Sequence, residues 1–107
     1  MTKRGLPHPE HLRLGQVISG IRNHLMGELT MVANAYPRSG PRAFPADQLQ
    51  VAIDALDAAR AALEDAAFEE HPRVAETYDY YPYDEHWAEV VVPDKPGASA
   101  GRVPFGQ

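Results

Sequence analysis

Apolar residues recur along two stretches of this chain at steps of three and four. In the first, Leu14, Ile18, Ile21, Leu25, Leu29, Val32 and Tyr36 follow one another in register with a helical turn. This spacing predicts a helix over about 10–35. Pro9 and Glu10 suit its first turn, and Pro37 closes it, because a residue before proline avoids the αR region. The second stretch has the clearer period. Leu49, Ala52, Ile53, Leu56, Ala59, Leu63, Ala66 and Ala67 form a stripe, while Asp54, Asp57, Glu64, Asp65 and Glu69 mostly fall outside it. A second helix is therefore expected over about 45–70, opened by Pro45 and Asp47 and stopped ahead of Pro72. Arg60 is placed to pair with Asp57 and Glu64 along it. The link over 37–45 holds three prolines and Gly40, and its length suits antiparallel neighbours.

Two features complicate a simple hairpin. Gly15, Gly20 and Gly27 lie inside the first helix, each costing about 1 kcal/mol relative to alanine. Gly20 and Gly27 share a face, and the second helix has a small stripe of its own in Val51, Ala55, Ala58 and Ala62. Close approach of the two helices along these faces is the expectation. Both helices also carry apolar residues beyond one narrow stripe, namely Val17, Met26, Met31 and Ala33 on the first and Val51, Ala55 and Ala62 on the second. A second copy would cover that surplus by forming a dimeric four-helix bundle.

The chain changes character after His71. Tyr78, Tyr80, Tyr81, Tyr83 and Trp87 alternate with Glu76, Asp79, Asp84, Glu85 and Glu89, and Val90, Val91 and Val92 could form a short strand. Prolines and glycines then break any regular element. So many aromatics do not suit a purely solvating acidic tail. The segment 72–107 is expected as an extended arm lying on its own hairpin, on a dimer mate or on another protein. The predicted organisation is thus all-α: a flexible lead over 1–8, a hairpin over 9–71 and the arm.

Composition narrows the function classes. The 107 residues suffice for one domain, and the hydrophobic share of 44% allows a small core. No cysteine is present, which removes disulfides and thiolate metal sites. No apolar run approaches the roughly 20 residues of a membrane span, and the start of the chain lacks a signal-peptide pattern. A cytoplasmic protein with no membrane role is expected, and the excess of arginine and alanine suggests a bacterial source. The net charge of −5 argues against general binding to nucleic acid. A weaker alternative, a nucleic-acid-associated regulator, rests on Arg4, Arg13, Arg22, Arg38 and Arg42.

Candidate chemistry is sparse. His24 and Glu28, one turn apart, could share a metal ion or a proton. His8, Glu10 and His11 form a His-x-x-His group, read as lacking a rigid frame. His71 would complement the C-terminal end of the second helix, and His86-Trp87 could be a recognition tip. Ser19, Ser39 and Ser99 lack the setting of a nucleophile. A di-iron bundle would need a histidine three residues after Glu28, where Met31 stands. The run Ile21-Arg22-Asn23-His24-Leu25 resembles part of the dimerisation helix of sensor histidine kinases, which pair as helical hairpins. The phosphate-accepting histidine of that pattern would fall near Ser19, so the resemblance implies the paired architecture and not phosphotransfer.

The reading is a small non-catalytic interaction protein or accessory subunit with no cofactor. It would act as a homodimer, with the arm touching a larger protein partner. Ile18, Ile21, Leu25, Leu29, Leu56, Leu63, Tyr80, Tyr81 and Trp87 are its candidate interface residues. The alternative is a small metal- or histidine-dependent enzyme with a bundle-core site at His24 and Glu28.

Overall fold

The computed structural model describes residues 3–91. Two long helices pack side by side, α1 over His8–Ala35 and α2 over Phe44–Glu70. Among the described residues there is no strand, and Val90 and Val91 are exposed irregular backbone, while Val92 lies outside them. No helix among them is long and apolar enough to cross a membrane. Each helix starts one or two residues before its expected boundary. Pro7 is the residue before α1, and Pro9 and Pro45 sit in first turns, where a missing N–H breaks no helical hydrogen bond. A 3-10 turn over Pro41–Ala43 runs directly into α2, its Ala43 N–H donating to the Gly40 carbonyl.

The helices meet through Leu14 and Ile18 on α1 and Leu56, Leu63 and Ala67 on α2, with Tyr80 and Ala75 from the following segment completing the cluster. Midway along the hairpin, Asp57 joins the two helices. Arg22 donates to it from Nε at 2.5 Å and from Nη2 at 3.3 Å. That hydrogen bond, offset by desolvation, raises the Arg22 pKa, so its guanidinium stays charged. Arg60 also reaches Asp57, at 3.5 Å, and donates to Ser19 Oγ at 3.3 Å, with its guanidinium over the Tyr81 ring at 4.3 Å. Glu64 is not among its partners.

Beyond Glu70 the chain turns back along the hairpin. Two 3-10 turns, Thr77–Asp79 and Asp84–His86, punctuate this return. Two of its close approaches to α1 occur at glycines. A Cβ on Gly15 would fall on the Asp79 carbonyl oxygen, and one on Gly20 would fall on that of Ala88. The Ala88 N–H donates to the Gln16 carbonyl at 3.0 Å. The expected close approach of helix to helix is therefore replaced by helix to returning chain. Gly27 has nothing near it, and the matching stripe of Val51, Ala55, Ala58 and Ala62 on α2 faces solvent. The physical reason is that a single short run of backbone, a 3-10 turn at Asp79 and irregular chain at Ala88, is thinner than a long helix with its side chains and fits a glycine notch more deeply.

A candidate histidine–carboxylate site

The site lies where the start of α1, the end of α2 and the returning segment converge. His11 is on the second turn of α1, and its ring is 1% exposed. A buried imidazole needs partners on both nitrogens, and two other elements supply them. Nδ1 lies 2.5 Å from the Tyr80 hydroxyl, and Nε2 lies 2.8 Å from Glu70 Oε1. With a neutral ring, the Tyr80 O–H donates to Nδ1 and the Nε2–H donates to the carboxylate. Tyr80 itself is fully buried, the largest side chain to be so. Burial, and after it the charges of Asp79 and Glu70, push its phenol up to about 12, so it stays a neutral donor.

Glu70 is held in place from two sides. Its Oε1 also accepts from the Leu6 N–H at 3.2 Å, while the His71 ring donates from Nε2 to the Leu6 carbonyl at 2.6 Å. The His11 hydrogen bond first, then the Leu6 N–H, keeps the Glu70 carboxyl below its ordinary pKa, so it is ionised. His8 closes the other side. Its Nε2 lies 2.8 Å from Oδ2 of Asp79, a buried carboxylate that also accepts from the Glu76 N–H at 3.1 Å. The His71 ring centroid is 5.9 Å from that of His8 and 5.7 Å from that of His11.

The lead was expected to be flexible over 1–8 and its histidines to lack a rigid frame. Instead Leu6 is tied to α2, and α1 begins at His8, so both histidines stand on a helix. The signal was present as the spacing His8–His11, one helical turn. Its partners lie 59 to 71 residues away in the chain, and no local pattern could show them. His71, expected only to meet the end of α2, is the third ring of the group.

The other sequence-named residues are placed elsewhere. His24 Nε2 and Glu28 Oε2 lie 3.4 Å apart, both part-exposed. His24 borders a polar cleft with Asn23, Asp84, Glu85 and Glu89. Among the described residues, only His11, Glu70 and His71 form a group of three or more potential ligands whose donor atoms lie within 4.8 Å of one another, so His24 and Glu28 gain no third partner among those residues. Of the candidate interface residues, Ile18, Leu56, Leu63 and Tyr80 belong to the internal core. Leu25 is half-buried, as is Leu29, which lines a cleft at the loop end of the hairpin. Ile21 is exposed at 38%, Tyr81 lies under Arg60, and Trp87 donates from Nε1 to the Pro82 carbonyl. His86 lies beside Trp87 and bonds the Tyr78 hydroxyl through Nδ1. Three of the arginines behind the nucleic-acid alternative are engaged inside the chain: Arg13 with Glu10, Arg22 with Asp57 and Arg42 over Tyr36. In comparisons with known proteins, the chain matches no family model, no curated protein and no solved structure.

Proposed function

We propose that the protein is a non-catalytic interaction module that docks a partner helix on the solvent face of α2. One observation carries this reading. Phe44, Val51, Ala55, Ala58 and Ala62 follow at steps of seven, four, three and four along one side of α2, and all are exposed. Phe44 is 60% and Val51 56% exposed. A seam of that period is the surface a second helix uses in a coiled pair.

Charge selects the occupant. Asp47, Asp54, Asp65 and Glu69 are exposed along the same helix, while its one basic residue, Arg60, is turned toward Asp57 and Tyr81. Two copies meeting through this seam would bring like charges together, which weighs against the homodimeric bundle expected from surplus apolar surface. An amphipathic helix with lysine or arginine beside its apolar stripe meets both the apolar seam and the acids. An accessory subunit acting on such a helix fits this description. Tyr83 and Trp87 on the returning segment are further exposed rings for a larger partner.

Light scattering on the isolated protein, together with titration of a synthetic basic amphipathic helix, tests the reading. The expected result is a monomer that binds the peptide, more weakly at high salt, with binding lost in Val51→Asp. A stable dimer dissociated by Val51→Asp would assign the seam to a second copy and overturn the choice of partner.

A further inference from the structure

We propose that His11, Glu70 and His71 form a binding site for a divalent transition metal ion of the zinc class. The three residues offer two imidazole nitrogens and one carboxylate oxygen, and those atoms lie within 4.8 Å of one another. Two nitrogens and one oxygen, with a further position left for water, is a donor set that zinc and its neighbours accept. Hard cations such as magnesium and calcium prefer oxygen ligands, so the imidazoles select against them.

The surroundings suit this use in three ways. The Glu70 carboxylate is already held at this corner, its Oε1 accepting from the Leu6 N–H at 3.2 Å. Tyr80 lies against the far nitrogen of His11. A hydroxyl can donate or accept, so when Nε2 turns its lone pair to a metal, the ring proton sits on Nδ1 and the Nδ1–H donates a hydrogen bond to the Tyr80 oxygen. That contact fixes the ring's direction, as the outer partners of metal-binding histidines do. His71 is held in the same manner, its Nε2 bonded to the Leu6 carbonyl, which leaves Nδ1 as the free donor.

Access follows from burial. His11 is enclosed, whereas the Glu70 side chain is 25% exposed and His71 is part-exposed, so an ion enters from the Glu70 side. The His8 ring, beside His71, lies next to the same opening. A bound ion would join the start of α1 to the end of α2, and Leu6 and Tyr80 would be fixed with them. The role expected of it is to lock the fold at this end of the hairpin.

The full chain, purified without a histidine tag and stripped with chelator, is titrated calorimetrically with Zn²⁺, and with Co²⁺ for its visible spectrum. The expected result is one Zn²⁺ per chain, a Co²⁺ spectrum of low-coordinate nitrogen and oxygen ligation, and a higher melting temperature with metal. His71→Asn and Glu70→Gln, both at part-exposed positions, should each weaken binding more than about tenfold, while His24→Ala leaves it unchanged. Circular dichroism confirms that each variant is folded. Sub-stoichiometric binding by the wild type overturns the proposal, whether or not the variants fold. So does an affinity unaltered by both site substitutions, or a site abolished by His24→Ala.

Discussion

The two ends of the hairpin are built differently. At the end where α1 begins and α2 stops, a third segment fills the space between the helices. Tyr80 is enclosed there, and the polar groups of His11, Glu70 and Asp79 find partners from distant parts of the chain. At the other end only the short link closes the pair. It leaves an open cleft of about 310 Å³ lined by Leu29, Ala33, Tyr36, Ala43 and Ala46, with Phe44 exposed nearby. Ile53 and Ala43 are also buried toward the loop end, but a cluster of buried residues that includes an enclosed aromatic ring forms where the third segment joins the two helices. Stability should therefore concentrate at the closed end, while the open end and the outer face of α2 remain available for docking.

The largest expected effect comes from emptying the closed end. Tyr80→Ala removes the largest fully buried side chain among the described residues, and a loss of about 3–5 kcal/mol is expected in denaturant unfolding. Tyr80→Phe keeps the ring but strands His11 Nδ1, at a cost of about 1–3 kcal/mol. If both changes were mild, the contrast between the two ends would fail.

Alkaline pH probes the same group without mutation. The Tyr80 pKa rises from 10.0 in the unfolded chain to about 12 in the folded one. Its contribution is complete below pH 10 and is lost as pH rises toward 12, because the unfolded state ionises first. A shift of that size corresponds to a loss on the order of 2–3 kcal/mol. Unfolding free energies measured across this window should show the loss in the wild type and not in Tyr80→Phe. Glu70 acts in the opposite direction. Its lowered pKa contributes stability above the ordinary carboxyl value of 4.5, and that is lost as the solution is acidified through the folded value.

Glycine substitutions sharpen the comparison along a single helix. Gly15→Ala gains about 1 kcal/mol of helix propensity, but its methyl group would displace the Asp79 backbone, and overpacking of that kind costs about 1–3 kcal/mol. A net loss is expected in thermal unfolding. Gly27→Ala meets nothing and should stabilise by about 1 kcal/mol. Equal effects at the two positions would mean that the returning segment does not rest on α1.

The smallest stability effect is expected on the outer face of α2. Val51→Asp should change unfolding free energy by no more than about 0.5 kcal/mol, since the side chain is 56% exposed. A larger loss would show that the seam supports the chain's own fold.

The periodicity of the chain alone determined the two helices, their stops at Pro37 and Pro72 and their pairing, because an apolar stripe and proline chemistry act locally. It also marked Gly15 and Gly20 as anomalous without saying what lies upon them. What only the tertiary structure decided is the alliance of His8, His11, Glu70, His71, Asp79 and Tyr80. His11 and Tyr80 are 69 residues apart and share one hydrogen bond. Contacts of that span leave no period in the sequence, because they depend on where the returning chain meets the helices.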